Sequence, residues 1–214
     1  DKLALKDLIT ISLIDAETDA YRSVKSIRNT TEYCWTLTPL TPKLVFDRDP
    51  TVNRVTYLDA DMYFLKSPKP IFKEFEASKK AVLITDHAYS PEYDRSATSG
   101  QYCVQFMTFI KNESEIVRKW WADCCLEWCY MRPENGKFGD QKYLDDWPIR
   151  FSENVHVLKQ LDLILAPWNA NRFPYSRAIV WHFHRLRVIK SSKIVLASSY
   201  DIPRSTIINV YNPY

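Results

Sequence analysis

Short apolar runs alternate with helical stretches along most of the chain, and this alternation restricts the fold more than any other feature of the sequence. Strands are predicted where β-branched and aromatic residues cluster, over residues 7–14, 54–59, 79–85, 102–110, 154–158, 163–167 and 178–184. Helices are predicted over residues 32–47, 69–75, 115–131 and 139–147. Strands that alternate with helices favour an α/β fold whose mixed, mainly parallel sheet is flanked by helices on both faces.

The helix over residues 115–131 has the clearest pattern in the chain. Asn112 and Glu115 form a capping-box signature before it. Its aromatic residues recur at helical spacing, which is typical of a face that packs into the core. Its three cysteines lack a second pair of zinc ligands, so they are expected to be buried thiols. The following helix, over residues 139–147, is expected to stop at Pro148.

Length and charge exclude several classes of protein. With 214 residues, 46% of them hydrophobic, the chain suits one α/β domain over residues 1–214. A formal net charge of +3 is too small to indicate a nucleic-acid partner. No apolar run approaches the roughly 18 residues of a membrane span, so no transmembrane segment is expected. The five cysteines are odd in number, which favours a reducing, cytoplasmic setting.

The scarcity of glycine excludes two common phosphate-binding motifs. Gly100, Gly136 and Gly139 are the three glycines in the sequence. Neither a G-x-G-x-x-G turn nor a GxxxxGK[ST] phosphate loop can be built from them. A protein of this sequence that binds phosphates must therefore use a metal ion or cationic side chains.

The pair Asp59 and Asp61 follows a predicted buried strand. Ligands of α/β sheets bind at the carboxyl ends of strands, which is where Asp59 falls. Side chains two residues apart share a face, about 7 Å apart, and a turn would bring both carboxylates around one divalent ion. Chance is the alternative explanation, since Asp47 and Asp49 repeat the spacing in what is predicted to be a solvated turn.

A second cluster of chemically capable residues lies near residue 182. Strand alternation places His182 and His184 on one face, with Trp181 and Phe183 on the other. A single histidine is usually structural. Two alternating histidines followed by Arg185 and Arg187 instead favour a metal with a bound diphosphate, because imidazole and carboxylates suit Mn²⁺ and arginine suits phosphate.

The segments "VTYLDADMYF", "GKFGDQKYLDDWP", "APWN" and "HFH" together resemble GT-A fold glycosyltransferases that use nucleotide-diphosphate sugars, particularly the group related to glycogenin and bacterial lipopolysaccharide galactosyltransferases. The likeness runs from about residue 8 to about residue 190. It implies that Asp59, Asp61 and His182 hold Mn²⁺ or Mg²⁺ against the diphosphate. It also implies transfer from a UDP-sugar to a glycan or lipid-linked acceptor, with retention, by a protein that can form a homo-oligomer or lie at the periphery of the inner membrane.

The same resemblance implies roles for further residues. Asp140 and Gln141 match a catalytic pair beside the donor sugar and the acceptor; the alternative is an ordinary helix start, with Asp140 as the N-cap after Gly139. The residues implied to contact the donor are Asp59, Asp86, His87, Trp168, Asn169, Arg28, His184 and Arg187. Arg185 stands where the family has a glycine.

The chain also departs from the family pattern. Cys103 and Gln105 replace smaller or more polar residues of the relatives in the central strand. A single short strand precedes the segment that leads to Asp59, so the first strand-helix unit, which carries part of the nucleoside pocket, is expected to be absent. Residues 191–214 are expected to form a C-terminal extension.

Two other functions are compatible with the sequence. Apolar residues followed by D-x-D also resemble phosphatases of the haloacid dehalogenase superfamily, with Asp59 as nucleophile and Asp61 as acid-base. The phosphatase alternative gives His182 no role. It also requires Thr or Val two residues after Asp61, where this chain has Tyr63. The third reading is a module that binds sugar nucleotides without turnover, which the departures at Cys103 and Gln105 favour.

Overall fold

A computed structural model describes residues 8–190 and 193–214 of the chain. Helices and helical turns occur along the whole chain, and α7 is the longest of the described helices. They are α1 (Leu13–Ala16), α2 (Asp19–Lys25), α3 (Thr30–Leu37), α4 (Thr41–Arg48), α5 (Lys69–Ser78), α6 (Ser96–Ser99), α7 (Glu115–Glu127), α8 (Trp147–Arg150) and α9 (Arg204–Thr206). Single 3-10 turns link several of them, including Thr38–Leu40 between α3 and α4.

The strands form three sheets. They are β1 (Arg54–Leu58), β2 (Met62–Phe64), β3 (Val82–Asp86), β4 (Tyr102–Ile110), β5 (Val155–Val157), β6 (Ile164–Leu165), β7 (Val180–His182), β8 (Arg187–Lys190) and β9 (Lys193–Val195). The largest sheet has the order β1-β4-β3-β5, the second has the order β2-β7-β6, and β8 pairs with β9.

The sheets are mixed, as the alternation of strands and helices predicts. The pairings β3–β5 and β6–β7 are parallel. The pairings β1–β4, β3–β4, β2–β7 and β8–β9 are antiparallel. The expectation of a mainly parallel sheet is therefore wrong for the described residues, because β4 runs antiparallel to both of its neighbours and β2 runs antiparallel to β7.

Both faces of the largest sheet are covered, because β3 and β4 carry apolar residues on both sides. On one face, Val82 and Phe109 pack with Trp121 of α7 and with Trp147. On the other face, Leu83 and Phe106 pack with α5, which contributes Ile71 and Phe75. The strands are therefore buried over most of their length.

Helix α7 confirms the predicted core face and corrects the predicted cap. Trp121 is fully buried, whereas its neighbour Trp120 is half-buried. The N-cap residue is Ser114, without a side-chain cap bond, so the capping box of Asn112 and Glu115 is wrong. Asn112 instead takes a left-handed turn with φ of 66°, and the hydroxyl of Ser114 bonds back to the carbonyl of Ile110.

Pro148 does not end a helix. The chain forms a 3-10 helix over Lys142–Asp146 and continues into α8, where Pro148 occupies the first turn. Proline is tolerated there because its missing N–H would have no intrahelical partner at that position.

The first predicted strand, residues 7–14, is also wrong where it is described; Asp7 lies outside the described residues. Residues 8–12 have no regular structure, and α1 begins at Leu13. Ile9 and Ile14 remain 69% and 79% exposed. β-branched residues favour a strand only where a neighbouring strand supplies hydrogen bonds, and none of the described strands pairs with this segment.

The C-terminal residues pack against β7. Trp181 and Phe183 contact Tyr211 edge to face, and the ring of Tyr214 stacks on Phe183 at 4.0 Å. These contacts confirm that Trp181 and Phe183 share the face opposite His182 and His184.

None of the helices in the described ranges is long and apolar enough to cross a membrane.

Candidate functional site

Asp59 and Asp61 lie in the short connection between β1 and β2, which belong to different sheets. The backbone fixes both positions: the amide of Asp59 donates to the carbonyl of Gln105 at 3.1 Å, and the amide of Phe183 donates to the carbonyl of Asp61 at 2.8 Å. Met62 pairs with His182 in the β2–β7 register. The two carboxylates are thereby brought to the end of the strand that carries the imidazole.

The three side chains form a compact cluster of potential metal ligands. His182 Nε2 lies 2.9 Å from Asp61 Oδ1 and 3.8 Å from Asp59 Oδ2. One ligand atom from each of Asp59, Asp61 and His182 lies within 4.8 Å of the others. The side chain of His182 is 6% exposed and that of Asp61 is 46% exposed, so the cluster opens toward solvent on the Asp61 side.

Neighbouring polar groups orient two of these side chains. His182 Nδ1 donates to Gln105 Oε1 at 2.7 Å, so Nε2 is the ring nitrogen that faces the carboxylates. The hydroxyl of Tyr57 donates to Asp59 Oδ1 at 2.9 Å. A histidine held through its second nitrogen, with a carboxylate held beside it, is the usual arrangement around a protein-bound metal.

The two carboxyls differ in their electrostatic surroundings. Burial raises the pKa of Asp59, and the nearby charge of His182 offsets this only in part. Burial acts in the same sense on Asp61, but the hydrogen bond and the charge of His182 outweigh it and lower the pKa of Asp61. Two carboxylates and one imidazole suit Mn²⁺ or Mg²⁺, so the donor set fits the metal that the sequence predicts.

A cavity of about 420 Å³ opens beside this cluster. Its wall combines acidic, basic and aromatic side chains from both halves of the chain. The residues that line it are Trp35, Tyr57, Asp59, Asp61, Tyr89, Arg95, Ser99, Cys103, Val104, Met131, Phe138, Gly139, Asp140, Gln141, Trp168, His182, His184, Arg185 and Tyr200. A volume in this range holds a small organic ligand, and the mixture of polar and aromatic groups suits a polar one.

Known proteins resemble the chain in sequence. No family model matches it. The uncharacterized protein YfnF of Bacillus subtilis (strain 168) is 28% identical over 212 residues, which cover 90% of this chain and 69% of YfnF. The uncharacterized protein YfnD of the same strain is 28% identical over 223 residues, which cover 95% of this chain and 70% of YfnD.

A solved structure resembles the chain in fold. The crystal structure of a glycosyltransferase involved in the glycosylation of the major capsid of PBCV-1 aligns with a TM-score of 0.52 and 11% identity, over 77% of this chain and 81% of that chain. The chain shares the fold of this glycosyltransferase. Mouse xyloside xylosyltransferase 1, in its apo form, aligns with a TM-score of 0.43 and 14% identity, over 78% of this chain and 71% of that chain. A fold hosts many chemistries, so activity has to be argued from the site.

Asp140 and Gln141 line the cavity. Asp140 is 2% exposed, and its Oδ2 has no hydrogen-bond partner among the described residues. Burial raises its pKa to about 7; a hydrogen bond from Thr38 opposes the shift and the charge of Asp59 adds to it. The side-chain Nε2 of Gln141 donates to the carbonyl of Ser99 at 2.7 Å. An unpartnered buried carboxyl is costly, and such groups cluster at functional sites.

Trp168 and His184 also line the cavity. The Trp168 ring meets the rings of His182 and His184 edge to face, at 5.3 and 5.1 Å. Burial lowers the pKa of His184 to about 4. Arg185 follows His184 and has a φ of 61°, in the left-handed region that favours glycine. This is the position at which the resembled family has a glycine, so the backbone conformation is that of a glycine although the residue is arginine.

Five other predicted donor contacts lie outside the cavity wall. Asn169 and His87 are buried behind Trp168, where the carbonyl of His87 accepts from the side chains of both Trp168 and Asn169. Asp86 is bonded to the Ala88 amide and the Gln101 side chain. Arg187 is exposed on β8. Arg28 is buried between Thr36 and the carbonyl of Leu126. These positions suit a supporting role.

Several residues of the site were not predicted from the sequence. Gln105 was interpreted as a departure from the family pattern, but it is the residue that orients His182. The sequence does carry a signal for Gln105, because a side-chain amide in the largely apolar β4 is costly to bury without a hydrogen-bond partner. Trp35, Arg95 and Tyr200 carry no local signal and reach the cavity through the tertiary fold alone.

Gln105→Leu is expected to weaken Mn²⁺ binding about 10- to 100-fold, because His182 loses the acceptor that fixes its tautomer and ring orientation. Isothermal titration calorimetry with MnCl₂ measures the effect. Thr108→Val is the matched control, since Thr108 is equally buried on β4 and bonds to Thr56 away from the metal cluster. Equal Mn²⁺ affinities for the two variants would contradict the orienting role.

Proposed function

We propose that the protein is a metal-dependent glycosyltransferase that moves a sugar from a UDP-sugar to a glycan or lipid-linked acceptor. The observation that carries the proposal is the Asp59–Asp61–His182 cluster beside a cavity of about 420 Å³ in a glycosyltransferase fold. The sequence contains no glycine-rich phosphate loop, so a metal with cationic side chains is the remaining route to a diphosphate.

Asp59, Asp61 and His182 would hold Mn²⁺ or Mg²⁺ in this proposal. The bound ion supplies Lewis-acid stabilisation of the negative charge that develops on the departing diphosphate. Arg95 and Arg185 line the same cavity and provide guanidinium groups for the phosphate oxygens. These cations replace the backbone amides that a phosphate loop would offer.

Asp140 and Gln141 would act on the sugar side of the reaction. The unpartnered Oδ2 of Asp140 can accept a hydrogen bond from a sugar hydroxyl, and a pKa of about 7 lets this carboxyl hold or release a proton near neutral pH. Gln141 is oriented by Ser99. Trp168 closes the wall behind the histidines and excludes water from that side.

Calorimetry with UDP, UDP-glucose, UDP-galactose and UDP-N-acetylglucosamine, with Mn²⁺ and then with EDTA, tests the proposal. At least one UDP-sugar is expected to bind with Mn²⁺ and to lose binding in EDTA, and release of UDP is expected on incubation with an acceptor extract. Binding without UDP release would support a non-catalytic module. Phosphate release from p-nitrophenyl phosphate without sugar-nucleotide binding would support the phosphatase alternative, with Asp59 as its nucleophile.

A further inference from the structure

Part of the cavity wall is apolar. Trp35, Met131 and Phe138 line it there, next to Gly139 and Asp140. We refer to Trp35, Met131 and Phe138 as the aromatic shelf. The rings of Trp35 and Phe138 lie 6.0 Å apart with an interplanar angle of 48°. Met131 is 49% exposed, so apolar surface of the shelf remains accessible to a ligand.

The shelf is fixed to the residues that carry the proposed chemistry. Gly139 has φ of 52°, and a Cβ placed there would lie 3.0 Å from Trp35 Cε3 and 3.3 Å from its Cζ3. The indole therefore rests directly on the Gly139 backbone, one residue before Asp140. Trp35 and Asp140 line the same cavity, so a ring that stacks on Trp35 from the cavity side shares that cavity with the Asp140 carboxyl.

Hydrogen bonds to α3 and within the loop over residues 128–139 also fix the position of the shelf. The Glu32 carboxylate accepts from the Met131 amide at 2.9 Å, and the same carboxylate closes the capping box of Asn29 at the start of α3. Gly139 donates its amide to the carbonyl of Tyr130 at 3.0 Å. Helix α3 and the loop over residues 128–139 are thereby joined, and a surface arranged in advance loses little entropy on binding.

We propose that the aromatic shelf binds the apolar C–H face of a sugar ring and so sets which sugars the protein accepts. Sugar rings present C–H groups on their faces and hydroxyls at their edges. The shelf supplies an aromatic face, and Asp140 and Gln141 supply acceptors and donors at its edge. This inference rests on the proposed function, and the ring belongs either to the donor sugar or to the acceptor.

The position of the basic residues favours a sugar over a nucleobase. Arg95 and Arg185 line the cavity together with Tyr89 and Tyr200, and Arg185 donates to Ser199, so these cations belong to the wall that the C-terminal residues build. The shelf belongs to the other wall, built by α3 and the loop before Asp140. A ring next to Asp140 is adjacent to the reacting carbon, whereas a base is separated from it by ribose and two phosphates.

Titrations of Trp35→Ala and of the wild type with UDP, UDP-glucose and methyl β-D-glucopyranoside, all with Mn²⁺, test the inference. If the ring is the donor sugar, Trp35→Ala is expected to bind UDP-glucose about tenfold more weakly and UDP unchanged. If the ring is the acceptor, the variant loses binding of the methyl glycoside in the presence of UDP and keeps UDP-glucose. Phe138→Ser is expected to give the same pattern with a smaller loss.

Trp120→Ala is the matched control, because Trp120 is a half-buried tryptophan of the same core that does not line the cavity. Circular dichroism melts of the variants separate loss of binding from loss of folding. Unchanged binding of both sugar ligands in folded Trp35→Ala and Phe138→Ser would overturn the inference. The inference would also be overturned if Trp35→Ala bound UDP more weakly by the same factor as UDP-glucose, because that result indicates stacking on the base. Wild-type protein that binds the methyl glycoside but no UDP species would overturn the proposed function and leave the shelf standing.

Discussion

Asp61→Asn is expected to weaken Mn²⁺ binding by about a hundredfold or more, and to abolish Mn²⁺-dependent binding of UDP-sugars. The substitution keeps the shape of the side chain and removes one of the two carboxylate charges in the cluster. Loss of an outer partner alone typically costs 10- to 100-fold in metal affinity, so loss of a charged ligand is expected to cost at least as much. Isothermal titration calorimetry with MnCl₂, followed by UDP-glucose, measures both effects.

The sequence offers a matched control for this variant. Asp47 belongs to the second D-x-D spacing of the chain, lies on the last turn of α4 and pairs with Lys43 at 2.7 Å in solvent. Asp47→Asn removes the same charge from the same kind of motif and is expected to leave Mn²⁺ affinity unchanged. A metal affinity that falls equally in both variants would show that net charge, and not the cluster around His182, determines binding.

Asp140→Asn is expected to stabilise the fold at pH 8 while it abolishes sugar transfer. The folded pKa of Asp140 is about 7, above the ordinary value of 3.8. Between these values the folded state keeps a proton that the unfolded state has released, so the wild type loses stability as the pH rises from about 4 to about 7. Asparagine has no such titration. A shift of about three pKa units corresponds to at most ~4 kcal/mol.

Urea unfolding of the wild type and of Asp140→Asn at pH 4, 6 and 8, in EDTA, measures the difference in the free energy of unfolding. The gain from the substitution is expected to be smallest at pH 4 and to reach its plateau near pH 8. Asp123→Asn, an exposed position on α7 that pairs with Lys119, serves as the control and is expected to show little change. A gain in stability that is the same at every pH would contradict the burial of an ionised carboxyl at Asp140.

Stability gained with activity lost is typical of a residue retained for function. If Asp140→Asn were both more stable and fully active in UDP release, the proposed role of Asp140 on the sugar side would be wrong. The metal cluster would keep its own test in Asp61→Asn, because that variant is measured by Mn²⁺ affinity.

The parts of the site that follow from local rules were predicted from the sequence. The apolar run before Asp59 ends as a strand, and strand alternation places His182 beside His184. Both are properties of a few consecutive residues. The resemblance to glycosyltransferases then connected two motifs more than a hundred residues apart, and the structure brings Asp59, Asp61 and His182 together.

The rest depends on contacts between distant residues. Gln105 meets His182 across 77 positions and Arg28 meets Leu126 across 98, and no local pattern encodes either pairing. Residues 8–14 have the composition of a strand but find no described strand beside them. The prediction of a mainly parallel sheet was wrong for the same reason, because the connections between strands, and not the strands themselves, determine whether a pairing is parallel or antiparallel.

The residues after β9 form part of the cavity wall and of the core, which matters for protein engineering. Tyr200 lines the cavity and meets Tyr93 edge to face, while Val210 and Tyr211 are buried with Trp181 and Phe183. A domain boundary drawn near residue 190 would therefore cut away a wall of the pocket and uncover apolar surface. Shortened versions intended for easier expression should keep the chain through Tyr214, and affinity tags are better separated from it by a linker.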